Sequence, residues 1–183
     1  RRRPVAQRRP PLSVGDNAPV SAPAKSTNEA KFETSNQVVR RMIARFFATL
    51  EELTAPLAPG ATLDAGCGEG ETIARLGGVL GERISAVDIE ERCVERVRQR
   101  LPDVAARRGD VTNLPYGDGE FDLVLCLEVL EHVPDPGRAV RELARVGGRD
   151  VVVSVPYEPW FRLGSLLRGK YVRTLGNHPE HVN

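Results

Sequence analysis

The run Thr62-Leu63-Asp64-Ala65-Gly66-Cys67-Gly68-Glu69-Gly70 constrains this chain more than any other segment. An apolar lead-in, an acid, and glycines at every second position describe a strand that breaks into a tight bend only glycine tolerates. A second strand pattern, Arg83 to Asp88, again closes on an acid after an apolar stretch. Two strands ending in carboxylates, with a glycine bend after the first, fit few folds other than an open sheet with a ligand crevice at its carboxyl edge.

The rest of the chain continues that rhythm. Val39, Met42, Ile43, Phe46, Phe47, Leu50 and Leu53 recur at three- and four-residue steps, predicting an amphipathic helix from Asn36 to about Ala55. Ser35 or Asn36 would cap it and Pro56 would stop it. A strand from Ala61 to Ala65 follows, then a helix through Ile73, Leu76 and Val79 ending among Gly77, Gly78 and Gly81. After Arg83 to Asp88, a helix runs from Glu90 to Arg100, with acids early and arginines late as its dipole prefers. Val104 to Arg107 reads as a third strand, Phe121 to Leu125 as a buried fourth and Asp150 to Val155 as a fifth. A turn is expected at Tyr116 to Gly119 and a helix from Pro136 to Val146. Strands alternating with helices across short connections predict an α/β fold, a Rossmann-like parallel sheet with helices on both faces.

Composition bounds the rest. With 183 residues, 40% of them apolar, the chain can bury one sizeable core. Its net charge of +1 is unevenly spread, because residues 1–28 hold five Arg and one Lys against a single acid. Those residues also carry five prolines and few large apolar side chains, so they are expected to form a disordered basic tail. Residues 29–60 then form a helical cap and residues 61–183 the ligand-binding core. The body, slightly acidic, does not advertise nucleic-acid binding. No apolar run is long enough for a membrane span, and no signal peptide follows the N-terminal arginines. Cys67, Cys93 and Cys126 are odd in number and lack metal spacing, which points to reduced thiols and a cytoplasmic location.

The ligand follows from charge. A nicotinamide or flavin site needs the G-x-G-x-x-G spacing that lets the backbone approach a diphosphate. Here Gly66, Gly68 and Gly70 are spaced G-x-G-x-G, with Asp64 before them and Glu69 among them. Two carboxylates would repel a diphosphate and attract the ammonium and sulfonium of S-adenosylmethionine. Asp88 is placed to accept from ribose hydroxyls, with Ile89 beside it. Asp110 is placed to accept from the adenine amino group, with Val111 and Leu114 along the apolar face. Each acid alone has a plainer reading, Asp88 as a helix cap and Asp110 as a turn stabiliser.

The run from Leu63 to Gly70, with Asp88, Gly109-Asp110-Val111 and Phe121-Asp122-Leu123-Val124, resembles the class I S-adenosylmethionine-dependent methyltransferases, of the methyltransferase type 11 kind. The resemblance covers roughly Thr62 to Pro156. It implies in-line methyl transfer from the sulfonium to a nucleophile. It assigns the methionine end of the cofactor to Asp64, Gly66 and Gly68, the ribose to Asp88, and the adenine to Asp110 and Val111, with Cys67, Gly70 and Ile89 as further cofactor-binding candidates. The backbone near Leu127 lines the pocket.

After the fourth strand, Glu128, Glu131 and His132 stand at i, i+3 and i+4, and in a helical turn they would share one face, suited to a hard cation such as Mg2+. This Glu-x-x-Glu-His run is similar to those of ubiquinone-pathway O-methyltransferases and small-RNA 2′-O-methyltransferases, where it holds a divalent metal that orients the acceptor oxygen. Three roles stay open: metal ligation with His178 or His181 adding a ligand, His132 as a base or orienting group without metal, and a structural turn.

The aromatic stretch from Tyr157 to Phe161 is a candidate substrate wall or a packed helix, and the early helix with Lys31-Phe32-Glu33 is a candidate cover on the other side. Strand 150–155 would leave an apolar edge. The family fold normally covers that edge with an antiparallel hairpin, so either a missing C-terminal segment or a second copy of the chain is expected there. The leading expectation is therefore a methyltransferase acting on a small-molecule acceptor, at oxygen. An RNA 2′-O-methyltransferase, an NAD-linked Rossmann oxidoreductase and a catalytically idle cofactor-binding module are the alternatives.

Overall fold

A computed structural model describes residues 35–156 of the chain. The expected tail at residues 1–28, the Lys31-Phe32-Glu33 cover, the aromatic wall and the two C-terminal histidines lie outside the described residues.

Helix α1 spans Gln37–Thr54, and the Asn36 side chain accepts from the N–H groups of Val38 and Val39 at its start. A 3-10 turn over Ala55–Leu57, carrying Pro56, ends it. Strand β1, Ala61–Ala65, is buried along its whole length. Helix α2, Glu71–Leu76, leads to β2, Arg83–Asp88, and helix α3, Glu91–Arg100, to β3, Ala105–Arg108. Strand β4, Phe121–Leu127, is followed by a 3-10 turn over Leu130–His132, helix α4 over Pro136–Val146 and strand β5 over Gly147–Ser154.

All five strands are parallel in the order β3-β2-β1-β4-β5. The order reverses between β1 and β4, the switch point at whose carboxyl ends open α/β sheets bind their ligands. On one face Phe47 and Leu50 of α1, Ile73 and Leu76 of α2, and Val97 of α3 pack on Ile84, Ala86, Leu123 and Leu125. On the other, Ala139, Leu143 and Val146 of α4 pack with Leu63, Val87, Val124 and Cys126. Burying each such aliphatic side chain contributes about 1.5–3 kcal/mol, offset by the entropy of ordering it.

The elements differ from sequence expectation at their ends. Helix α2 stops at Leu76, because Gly77 and Gly78 follow and the chain must turn at once to deliver Leu80 to the core. Strand β3 lies one residue later than expected, and β5 starts three residues earlier. Gly147 pairs with Phe121 at a crowded point, where a Cβ would stand 3.0 Å from Cγ2 of Val151 and 3.2 Å from Cγ2 of Val124. A register shift between Phe121 and Leu123 absorbs the early start. Strand β5 is the edge of the described sheet, with Val151 and Val153 two-fifths exposed. Among the described residues no helix is long and apolar enough to cross a membrane.

Candidate active site

Gly66, Gly68 and Gly70 all adopt positive φ, at 82°, 51° and 80°. That region costs other L-residues about 1–2 kcal/mol each, which explains the alternation in the sequence. Gly66 has a further reason: a Cβ there would stand 2.4 Å from Cγ2 of Val129. The bend after β1 thus presses against the segment after β4. Gly70 faces Leu101 and Val97, so the bend also seats on α3. Arg100 braces it by donating to the carbonyl of Glu69 at 2.9 Å.

Asp64 lies just below this bend and is 2% exposed. Its Oδ2 has no hydrogen-bond partner among the described residues. Burial first, then the negative charge of Asp88, raises its carboxyl from 3.8 to about 7. A buried acid held up in this way is costly to keep ionised and gains most from an incoming cation.

Asp88 does structural work that the sequence suggested only as a plainer alternative. Its Oδ2 accepts from the N–H of Gly68 at 2.8 Å and its Oδ1 from the N–H of Glu90 at 2.9 Å. The carboxylate ties the glycine bend to the start of α3, and each of its oxygens keeps further acceptor capacity. Ile89 beside it is 61% exposed, an apolar surface at the strand end. Asp110, exposed, accepts from Thr112 N–H through Oδ1, and its carbonyl accepts from Asn113 N–H. Val111 behind it is buried.

Cys67, Cys93 and Cys126 are reduced and buried. Burial pushes each thiol up, Cys93 to about 11 and Cys126 to about 12, so none is a nucleophile near neutrality.

The expected shared helical face of Glu128, Glu131 and His132 does not form. Glu128 takes a left-handed φ of 58°, ahead of a turn that spans only Leu130–His132. Its carboxylate accepts from the Ser154 hydroxyl at 2.7 Å, and its N–H donates to the Ser154 carbonyl, so it is drawn toward β5. Glu131 and His132 remain neighbours, with 3.9 Å between Oε1 and Nε2. Among the described residues no group of three His, Cys, Asp or Glu side chains is arranged to hold a metal. Glu128 precedes the turn at a left-handed φ, and its carboxylate is engaged by Ser154. A non-glycine residue held at positive φ at a strand end is itself a sign of a constrained site.

Sequence reasoning passed over a second group. Glu142 and Arg145 of α4 form a two-pronged ion pair, Nε to Oε1 at 2.8 Å and Nη2 to Oε2 at 2.7 Å. Both reach into the 110–118 connection. The only signal in the sequence was an acid and an arginine three residues apart, indistinguishable from a solvated helix pair.

Residues 63–153 match the family described as methyltransferase domain. The chain is 40% identical over 114 residues to a probable S-adenosylmethionine-dependent methyltransferase of Mycobacterium tuberculosis, covering 59% of this chain and 41% of that one. It is 38% identical over 122 residues to the 27-O-demethylrifamycin SV methyltransferase of Amycolatopsis mediterranei, covering 56% and 45%. The chain thus spans less than half the length of these curated relatives. Among solved structures, the YcgJ protein of Bacillus subtilis shares the fold with a TM-score of 0.58 at 24% identity, over 76% of this chain and 62% of that one.

Proposed function

The chain belongs to the class I S-adenosylmethionine-dependent methyltransferases, and on that premise we propose that it transfers a methyl group to an oxygen of a small-molecule acceptor. The observation that carries the proposal is Asp64, a buried carboxylate with an orphaned oxygen under a glycine bend. Such an oxygen fits the ammonium of S-adenosylmethionine and would be repelled by a diphosphate.

S-adenosylmethionine supplies an electrophilic methyl on a sulfonium that leaves as a neutral thioether. In this reading Asp64 takes the ammonium, and the backbone of Gly66, Cys67, Gly68 and Gly70 lines the amino-acid end. Asp88 accepts from the ribose hydroxyls with lone pairs left over from its two backbone bonds. Asp110 accepts from the adenine amino group, while Ile89, Val111 and Leu127 supply the apolar faces. The acceptor side is formed by the segment after β4, which touches the glycine bend through Val129. His132, 43% exposed at its side chain beside Glu131, is the group able to take the acceptor's proton. Glu131 stands 3.9 Å from that imidazole, and Glu128 fixes the path of the segment through Ser154. Bringing the acceptor oxygen into line then supplies most of the acceleration.

Oxygen as the acceptor atom is supported by the name of the rifamycin relative, which specifies an O-methyl position on its own substrate. A labelled-methyl assay over phenols, hydroxy acids, amines and short RNAs tests the proposal. Incorporation into a hydroxylated small molecule, lost in His132→Ala, is expected. Transfer confined to amines or RNA would overturn the acceptor assignment.

A further inference from the structure

The 110–118 connection begins with Asp110 and Val111, the residues assigned to adenine, yet it is no regular element. Four of its backbone groups, the Thr112, Leu114 and Tyr116 carbonyls and the Leu114 N–H, take bonds from side chains of α4. Arg145 donates through Nη2 to the carbonyl of Leu114 at 3.0 Å and through Nη1 to the carbonyl of Tyr116 at 2.8 Å and to Oδ1 of Asp118 at 2.9 Å. Glu142 Oε2 accepts from the N–H of Leu114 at 2.9 Å, so the ion pair reads both polar groups of that one residue. Arg138, two turns nearer the start of α4, donates through Nε to the carbonyl of Thr112 at 2.9 Å. Leu114 and Tyr116 are buried; the Tyr116 N–H donates to the Leu114 carbonyl at 2.9 Å, and α4 supplies the partners of the Leu114 N–H and the Tyr116 carbonyl.

We propose that Glu142 and Arg145, with Arg138, are positioning residues for adenine recognition: they clamp the 110–118 connection so that Asp110 meets the adenine amino group. The inference rests on the cofactor assignment above and extends it to side chains that touch no cofactor atom. The geometry favours this over simple helix solvation, because of the seven hydrogen bonds that the three side chains make here, five end on the connection and two join the pair to itself. The planar guanidinium of Arg145 matters: it spans two carbonyls and two carboxylates at once, which a lysine ammonium cannot do. Glu142 is held to its charged state by the Arg145 hydrogen bonds, which lower its carboxyl to about 2, so the clamp stays closed across the neutral range.

The test compares S-adenosylhomocysteine with S-inosylhomocysteine, which carries a carbonyl in place of the adenine amino group, by titration calorimetry on the whole chain. The wild-type chain should prefer the adenosyl ligand by about tenfold, the worth of one charge-assisted hydrogen bond. Arg145→Lys and Glu142→Gln should weaken the adenosyl ligand about tenfold and bring the two affinities close together. Arg138→Gln, at an exposed position, keeps the test alive if the other variants fold poorly, and should reduce the preference about threefold. A purely structural role would lower unfolding midpoints and leave the ratio of the two affinities untouched. Folded variants that keep the wild-type ratio overturn the proposal. A wild-type chain that binds neither ligand would refute the cofactor assignment itself, and the clamp with it.

Discussion

Replacing Asp64 by asparagine should make the ligand-free chain more stable and unable to hold its cofactor. The native state raises the Asp64 carboxyl from 3.8 to about 7, through burial and then the charge of Asp88. Between about pH 4 and pH 7 the folded chain keeps a proton on Asp64 that the unfolded chain has released. Unfolding free energy therefore falls as pH rises across that window, and the full loss persists above it. At about 1.4 kcal/mol per pH unit, the loss amounts to about 4 kcal/mol. The amide of the Asp64→Asn variant does not titrate. In urea unfolding without ligand, that variant should match the wild type near pH 4 and exceed it by up to about 4 kcal/mol at pH 8. With S-adenosylhomocysteine present the order should reverse, because losing one partner of a buried ion pair costs about 3–5 kcal/mol. A stability difference that does not change between pH 4 and pH 8 would refute the reasoning, since only a proton uptake unique to the folded state produces the pH dependence.

The remaining predictions concern the backbone around the crevice. Gly66→Ala should abolish cofactor binding, because its Cβ collides with Val129; Val129→Ala in the same chain should restore part of it in calorimetry. Gly68→Ala meets open space and should cost only the left-handed backbone, about 1–2 kcal/mol in unfolding. Glu128→Gly should be about 1 kcal/mol more stable than Glu128→Ala, because both lose the Ser154 bond and only glycine accepts the φ of 58° without strain. Asp122→Asn should lower the melting temperature at pH 7. Asp122 Oδ2 accepts from the N–H groups of Gly60 and Ala61, which hold its carboxyl below the usual range. That contribution is present above the unfolded value and lost as pH falls through the folded one, so the deficit should shrink in acid; a deficit unchanged at pH 2 would count against this origin.

How much of this was legible beforehand depended on whether a residue acts through its own chain neighbours. Ala61 to Ala65, Arg83 to Asp88 and Pro136 to Val146 were placed to the residue, because each is bounded by a strong local signal: a glycine bend, a terminal acid, a proline at a helix start. Gly66, Gly68 and Gly70 announced their positive φ by their spacing. The segment from Glu128 to His132 misled, because periodicity assumes a helix and nothing nearby discloses a left-handed residue. What sets Glu128 is Ser154, 26 residues away on a neighbouring strand. The same holds for Asp122, which braces the start of β1 from 61 residues off, and for Arg145, which completes a connection 29 and 31 residues earlier. Long-range hydrogen bonds to backbone leave no period in a sequence. The orphaned oxygen of Asp64 was likewise invisible, although the acid itself was not.

Whether the crevice between β1 and β4 takes a nucleoside with a cationic end is tested most directly by calorimetric titration. The whole chain is titrated at pH 7.5 with S-adenosylhomocysteine and, separately, with NAD. Saturable binding of S-adenosylhomocysteine, weakened about a hundredfold or more by Asp64→Asn, and no binding of NAD, is the predicted result. Saturable binding of NAD with none of S-adenosylhomocysteine, or homocysteine-ligand binding indifferent to Asp64, would contradict it.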